Sequence, residues 1–424
     1  MLIWMCLLVA AQALFLIDID TPRTYNFDES HYVPAAQRLM ALQADPNPEH
    51  PPLAKMLIGL GVTLFGDRPL GWRVMSTVFG TVTLGGMFVW GLALFRDRTL
   101  ALWAALVTLV NHLLYVQARI AMLDTFMFAF LTWALAAVTA VWSADQPPER
   151  KRRYLGFAGW MLGLAAATKW SALFSWTACL ALIGGAWLVE RGTRRNAVQP
   201  DGPRRSILED ISSWDVARTL IVYPVVAYAL CFVPRLAIEH HGPWYTAFAD
   251  LVQMQTRMYD EQLRVPGQHA YMSHWYQWPL LLRPIWYAFE PDGTQVRGVL
   301  LLGNPVVMWG GMVALVICGI EWLRRRSRET FLILFFYLSF LLPWVVVPRP
   351  LALYYYYYPA GMTLSFAAAY VLRDRERDSG YYRWGRWGGL AIAAGVFVYF
   401  LPVLSGRPIG DGEFVKWMWF RGWI

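Results

Sequence analysis

Apolar stretches long enough to cross a lipid bilayer recur along the whole 424-residue chain. Nothing else in the sequence limits its fold as strongly. A backbone in hydrocarbon must satisfy its own hydrogen bonds, and a run of apolar helices does so. Composition agrees, with 57% hydrophobic and only 16% charged residues. The pattern predicts an all-α polytopic membrane protein with about eleven spans. They run near 1–17, 71–94, 100–117, 120–142, 154–168, 171–189, 215–237, 299–320, 330–347, 352–372 and 387–404. Residues 1–17 lack a basic start, and Ala11-Gln12-Ala13 is a weak cleavage match, so a retained first helix is expected.

Lys and Arg in the short loops set the orientation. Arg96 and Arg98, Arg150 to Arg153, Arg191, Arg194, Arg195, Arg204, Arg205, Arg324 to Arg326, Arg328, Arg373, Arg375, Arg377, Arg383 and Arg386 fall in alternate loops. Those loops are assigned to the cytoplasm. The net charge of +8 is thus mainly a topology signal, and no soluble basic domain for nucleic acid is present. Two long loops, residues 18–70 and 238–298, then lie outside, as does the tail after 405. All belong to one transmembrane domain, residues 1–424. The four cysteines sit in apolar spans and suggest neither a disulfide framework nor a metal site.

The first outer loop is patterned. Ser30 to Leu42 places apolar residues on one helical face, and Pro51-Pro52 opens a second helical segment over Leu53 to Phe65. Two short helices near the membrane surface are expected. The second loop is dense in aromatic residues, as is the run Tyr354 to Tyr358 at the outer mouth of a span. An interfacial belt accounts for many of them, but not for the interleaved His269, Ser273, His274, Gln277 and Arg283.

Ionisable residues stand out in such a chain. Asp28 and Glu29 follow the first span. They are either helix-start charges or a pair dividing base and binding roles. Being adjacent, they cannot flank one bond as a hydrolase pair does. Arg119 and Asp124 flank the outer start of the fourth span, where a structural ion pair is one alternative. Lys169 lies between the fifth and sixth spans, where snorkelling is another. Lys55, Arg119, Lys169 and Arg283 together would suit the phosphate of a lipid-linked donor. His50, Asp124, His269, Ser273 and Trp278 are candidates for acceptor or sugar contacts. No metal-ligand spacing or nucleotide-phosphate loop is evident, and no cofactor is expected.

Four segments resemble the protein O-mannosyltransferases, membrane glycosyltransferases of the GT-C fold. They are Phe27-Asp28-Glu29 with His50-Pro51-Pro52-Leu53-Ala54-Lys55, Ala118-Arg119 through Leu123-Asp124, Lys169 through Phe174, and His269 through Tyr287. The resemblance implies inverting transfer of mannose from a polyprenyl-phosphate-mannose donor to Ser or Thr hydroxyls of exported proteins. The active site would lie outside the inner, cytoplasmic membrane. It matches Asp28 to the catalytic base and Glu29 to an acceptor or sugar contact. His269-Ala270-Tyr271 departs from the family's usual His-Pro-Tyr, and residues 238–298 are too few for the soluble repeats of eukaryotic members. An aminoarabinose transferase acting on lipid A shares the acidic motif, and a transporter of lipid-linked sugars would also explain the spans. The His269–Tyr287 segment argues against the first. The absence of paired broken-helix repeats argues against the second.

Overall fold

The computed structural model describes residues 2–142, 146–196, 207–208, 210–264, 268–347, 351–373 and 380–424. Arg204, Arg205, Arg375 and Arg377 lie outside them, as does most of the 193–205 connection, and the side chains of Arg194 and Arg195 are also not described. The chain is mostly helical. It begins with α1 (Leu2–Leu16), α2 (Glu29–Met40), α3 (Leu53–Phe65), α4 (Pro69–Phe95), α5 (Arg98–Leu109), α6 (His112–Gln117), α7 (Leu123–Val141), α8 (Pro148–Ala166) and α9 (Ala172–Asn196). There follow α10 (Ser213–Ala217), α11 (Tyr223–Glu239), α12 (Ala247–Arg264), α13 (Pro305–Arg325), α14 (Arg328–Leu341), α15 (Pro343–Val346), α16 (Tyr358–Val371) and α17 (Gly380–Leu404). Among the described residues, seven helices are long and apolar enough to cross a membrane, and α1, α3 and α5 are shorter apolar helices. The protein is a multi-pass integral membrane protein.

The two surface helices of the first loop, α2 and α3, form where the periodicity places them. Several expected spans are broken. Residues 100–117 divide into α5 and α6 at Asn111, whose side chain accepts from the Leu113 N–H and starts the second piece. The stretch expected to span from 299 begins instead as a strand.

That strand belongs to the main departure from an all-α fold. β1 (Ile285–Asp292) and β2 (Gln295–Leu301) form an antiparallel hairpin, and β3 (Pro408–Gly410) pairs with the outer side of β2. The hairpin turns through Gly293-Thr294, with Gly293 at φ +63°, a conformation glycine adopts freely. Ile285 to Ala288 are buried, so one end of β1 belongs to the core.

α7 is central and buried along most of its length, whereas most of α9 is not buried. Its contact with α4 is close because Gly86 presents only hydrogen to Thr132, and a Cβ there would collide with that side chain. Arginines tie helix ends together at both faces. At the basic end, Arg328 donates to the carbonyls of Ala93, Leu94, Thr139 and Trp142 at 2.9–3.1 Å, closing the C-termini of α4 and α7. At the opposite end Arg119 does the same for α1.

α12 is a surface helix anchored by Met254 and Met258, which pack on Tyr228 and Phe232 of α11. Its exposed apolar residues, Phe248, Val252, Tyr259 and Leu263, suit a position in the membrane interface. With Trp244 and Tyr245 they form the belt expected of the second loop.

Candidate active site

The chain enters α2 through an unusual turn. Phe27 is left-handed at φ +49°, a conformation that costs a bulky residue about 1–2 kcal/mol. The turn is nevertheless held: Ser30 Oγ donates to the Phe27 carbonyl at 2.9 Å, and the Asn26 N–H donates to Glu29 Oε2 at 2.8 Å. The Phe27 ring packs on Tyr287 of β1 at 5.2 Å between centroids. It also meets His269 at 5.7 Å and Tyr355 at 6.2 Å.

Asp28 follows at the N-cap of α2, but its carboxylate does not cap the helix. Instead Oδ2 accepts a hydrogen bond from the Tyr32 hydroxyl, one turn on, at 3.1 Å. Burial pushes the Asp28 carboxyl up to about 6. Lys169, the Tyr32 hydrogen bond and His31 pull the other way, while Asp124 adds to the rise. The residue keeps partial exposure. A carboxylate with these properties is largely ionised at neutral pH and basic enough to take a proton during reaction.

Across from Asp28 lies a buried ion pair. Lys169, from the turn between α8 and α9, donates to Asp124 Oδ2 in the first turn of α7 at 2.7 Å. Its ammonium also lies 4.6 Å from the centre of the Tyr355 ring and 5.3 Å from that of Tyr356. Gln117 Nε2 donates to the Tyr287 hydroxyl at 3.2 Å and fixes that ring beside the pair. A narrow cleft continues from Asp124 between Met127, Phe174, Trp344 and Tyr356. The centre therefore combines one poised carboxylate, one cation, several phenols and an apolar exit.

Other expected site residues are held in other contacts. Glu29 is fully buried, and its carboxylate accepts from Arg73 Nε and Nη2 at 2.9 Å and from the Asn26 and Ala121 N–H groups at 2.8 Å. With both oxygens engaged it holds the turn. Arg119 neither pairs with Asp124 nor faces the cleft. It donates to the carbonyls of Phe15, Ile17 and Asp18, because the C-terminus of α1 leaves acceptors unsatisfied. Lys55 is fully buried, pairs with Asp45, and donates to the carbonyls of Asn47 at 2.6 Å and His50 at 2.9 Å. Arg283 donates to the carbonyls of Ala270 at 2.7 Å and Gly422 at 3.1 Å, strapping the tail to the second loop. Of the four basic residues expected at a phosphate, Lys169 alone sits beside Asp28.

His50 meets the edge of the Tyr32 ring at 5.7 Å, one residue removed from Asp28, and lies 3.3 Å from Gln262 Nε2 of α12. His269 reaches the centre through Phe27. Burial holds its imidazole below the usual value, which favours the neutral form. Ser273 and Trp278 are buried behind the site, where the indole N–H donates to Ser273 Oγ at 3.0 Å and the ring packs on Tyr356. Among the described residues, no three His, Cys, Asp or Glu side chains are grouped to hold a metal ion.

Sequence comparison follows the same segments. Residues 49–199 match the family model for dolichyl-phosphate-mannose-protein mannosyltransferase. Residues 247–423 match the model for the C-terminal four TMM region of protein-O-mannosyltransferase. This chain belongs to the protein O-mannosyltransferase family. The polyprenol-phosphate-mannose–protein mannosyltransferase of Mycobacterium tuberculosis is 26% identical over 469 residues, covering 96% of this chain and 88% of that relative. In fold, the chain is similar to the S. cerevisiae Pmt1-Pmt2 complex bound to the sugar donor. The TM-score is 0.82 at 14% identity, covering 100% of this chain and 92% of that one. ArnT from Cupriavidus metallidurans bound to undecaprenyl phosphate aligns less completely. Its TM-score is 0.59 at 17% identity, with 94% and 65% covered.

Several residues that build this family member's site escape a reading of the sequence. Arg73 interrupts an apolar span, and a buried charge there signals a partner or a function. The tyrosines at 354 to 358 are buried, so this run is not an interfacial belt. Tyr32 reads only as one more apolar-face residue. Gln262 carries no signal of its own, because its partner is 212 residues away.

Proposed function

We propose that this protein transfers mannose from a polyprenyl-phosphate-mannose donor to Ser or Thr hydroxyls of exported proteins, with inversion at the anomeric carbon. It works from the outer face of the cytoplasmic membrane, within one GT-C domain spanning residues 1–424. Residues 18–70 carry the catalytic motif, and residues 238–298 form the second outer loop. The observation that carries this reading is Asp28, a half-buried carboxylate raised to about 6 and set opposite Lys169.

Asp28 takes the proton from the acceptor hydroxyl as its oxygen attacks the anomeric carbon. The bond from that carbon to the phosphate oxygen breaks, and the lipid phosphate leaves with the electron pair. Lys169 stands next to the charge that the phosphate gains, in a pocket where low water content strengthens the attraction. The pairing with Asp124 and the two tyrosine faces hold its ammonium in place. The cleft lined by Met127, Phe174 and Trp344 takes the first isoprene units. Glu29 acts through the backbone of the Phe27–Asp28 turn. His50 and His269 flank the acceptor side.

The mycobacterial relative's name and the fuller match to the Pmt1-Pmt2 fold favour this reading over lipid A modification. The test offers purified protein labelled polyprenyl-phosphate-mannose with either a Ser/Thr peptide or lipid A. Labelled peptide with a base-labile sugar is the expected product. Labelled lipid A with unlabelled peptide would contradict the reading.

A further inference from the structure

On the far side of the molecule from Asp28, an apolar groove runs between α5, α13, α16 and α17. It encloses about 230 Å³ and is lined by side chains including Trp103, Val107, Ile317 and Leu372. Three of its positions are glycines, Gly310, Gly311 and Gly389, and a Cβ built at Gly310 or Gly389 meets nothing within 4 Å. Among the described residues, no side chain fills the space.

Next to the groove lies a second, charged pocket of about 590 Å³ at the basic end of the same helices. The two are neighbours along the same helices. Leu372 lines the first and Arg373 the second, while Gly389 and Arg386 lie one turn apart on α17. Trp103 Nε1 donates to the Arg386 carbonyl at 2.9 Å, fixing the junction.

The charged pocket is lined by Arg325, Arg373 and Arg386, with Asp97 and Glu329. Arg325 pairs with Glu321, its Nε 3.2 Å from Oε1, which leaves Arg373 and Arg386 to meet a ligand. Asp97 caps α5, accepting from the N–H groups of Thr99 and Leu100 at 2.7 and 3.0 Å. Arg373 lies flat on Tyr370, 4.0 Å from the ring centre, with Nη2 donating to the phenol oxygen at 3.1 Å, which orients the guanidinium. Trp384 and Trp387 are exposed beside Arg386, as is usual at headgroup level.

We propose that this composite groove binds one anionic phospholipid. Its phosphate sits on Arg373 and Arg386, with Arg325 nearby, and one acyl chain lies in the apolar slot. Planar guanidinium groups match a phosphodiester well, and basic pockets between membrane helices suit anionic headgroups. The site is separate from the one proposed for the sugar donor and does not depend on that reaction.

Native mass spectrometry of the purified protein, titrated with phosphatidylglycerol, phosphatidylcholine or inorganic phosphate, tests this. One phosphatidylglycerol should remain bound where phosphatidylcholine is lost. Arg373→Gln with Arg386→Gln should weaken that binding roughly ten-fold or more. Gly389→Leu should displace the lipid with every arginine intact, and it decides the matter alone if the double variant fails to fold. Equal retention of the two lipids, competition by inorganic phosphate as effective as by phosphatidylglycerol, or full binding by Gly389→Leu would each overturn the proposal.

Discussion

At the scale of residues, the chemistry turns on how burial and its neighbours set Asp28. Burial raises the carboxyl to about 6, against the pull of Lys169 and the Tyr32 hydroxyl. As a base, Asp28 must be ionised, so transfer should rise with pH through about 6 and then level. Its raised value also means that ionising it opposes folding: this stability is fully present below about 3.8 and lost by about 6. Burial lifts the Tyr32 phenol well above its ordinary value, which leaves the hydroxyl protonated as a donor. Tyr32→Phe removes a hydrogen bond that favours the charged carboxylate. The midpoint of the pH–rate profile should therefore move upward by about 1–2 units, since such a bond is worth about 1.5–3 kcal/mol. Activity at pH 5.5 should then fall further than activity at pH 8. A profile that keeps its midpoint would show that Asp28 does not govern the rate.

Elements hold the site through contacts that sequence spacing hides. Asp28 is legible as the first carboxylate pair after the first span, and α2 and α3 are legible from their apolar spacing. The role of Glu29 is not, because Arg73 is 44 residues away. Likewise Asp124 has a basic neighbour five residues back, yet its partner is Lys169, 45 residues on. Arg119 is captured by the open carbonyls of α1, a demand that only the folded helix end creates. The sheet escapes notice because Ile285 to Ala288 is a continuous buried run without the alternation of a half-exposed strand. These contacts make Glu29→Gln a structural change. One Glu29–Arg73 link joins the catalytic turn to α4 and to the segment before α7. Breaking a buried pair from one side typically costs about 3–5 kcal/mol. Glu29→Gln should lower the thermal midpoint and the folded yield. Acceptor KM measured on the folded fraction should change little. Normal stability with a raised acceptor KM would return Glu29 to the binding role.

At the scale of the whole molecule, the two faces differ in kind. Arginines crowd one end of the helices, where Arg328 gathers the C-termini of α4 and α7. The opposite end carries α2, α3, α12 and the sheet around Asp28. The bias in Lys and Arg assigns the first end to the cytoplasm. A cysteine placed at Gln268 should react with an impermeant maleimide on intact cells, and one at Gln146 only after lysis. The reverse pattern would put Asp28 in the cytoplasm, away from exported acceptors.

The central claim is that Asp28 accepts the hydroxyl proton in a site otherwise complete without it. Single-turnover transfer from bound, labelled polyprenyl-phosphate-mannose to a Ser/Thr peptide, by wild type and Asp28→Asn, tests it most directly. The variant should fold and retain donor, and its transfer rate should fall on the order of 10²–10⁴-fold, the usual contribution of a positioned base. Near-normal transfer by well-folded, donor-loaded Asp28→Asn would contradict the account.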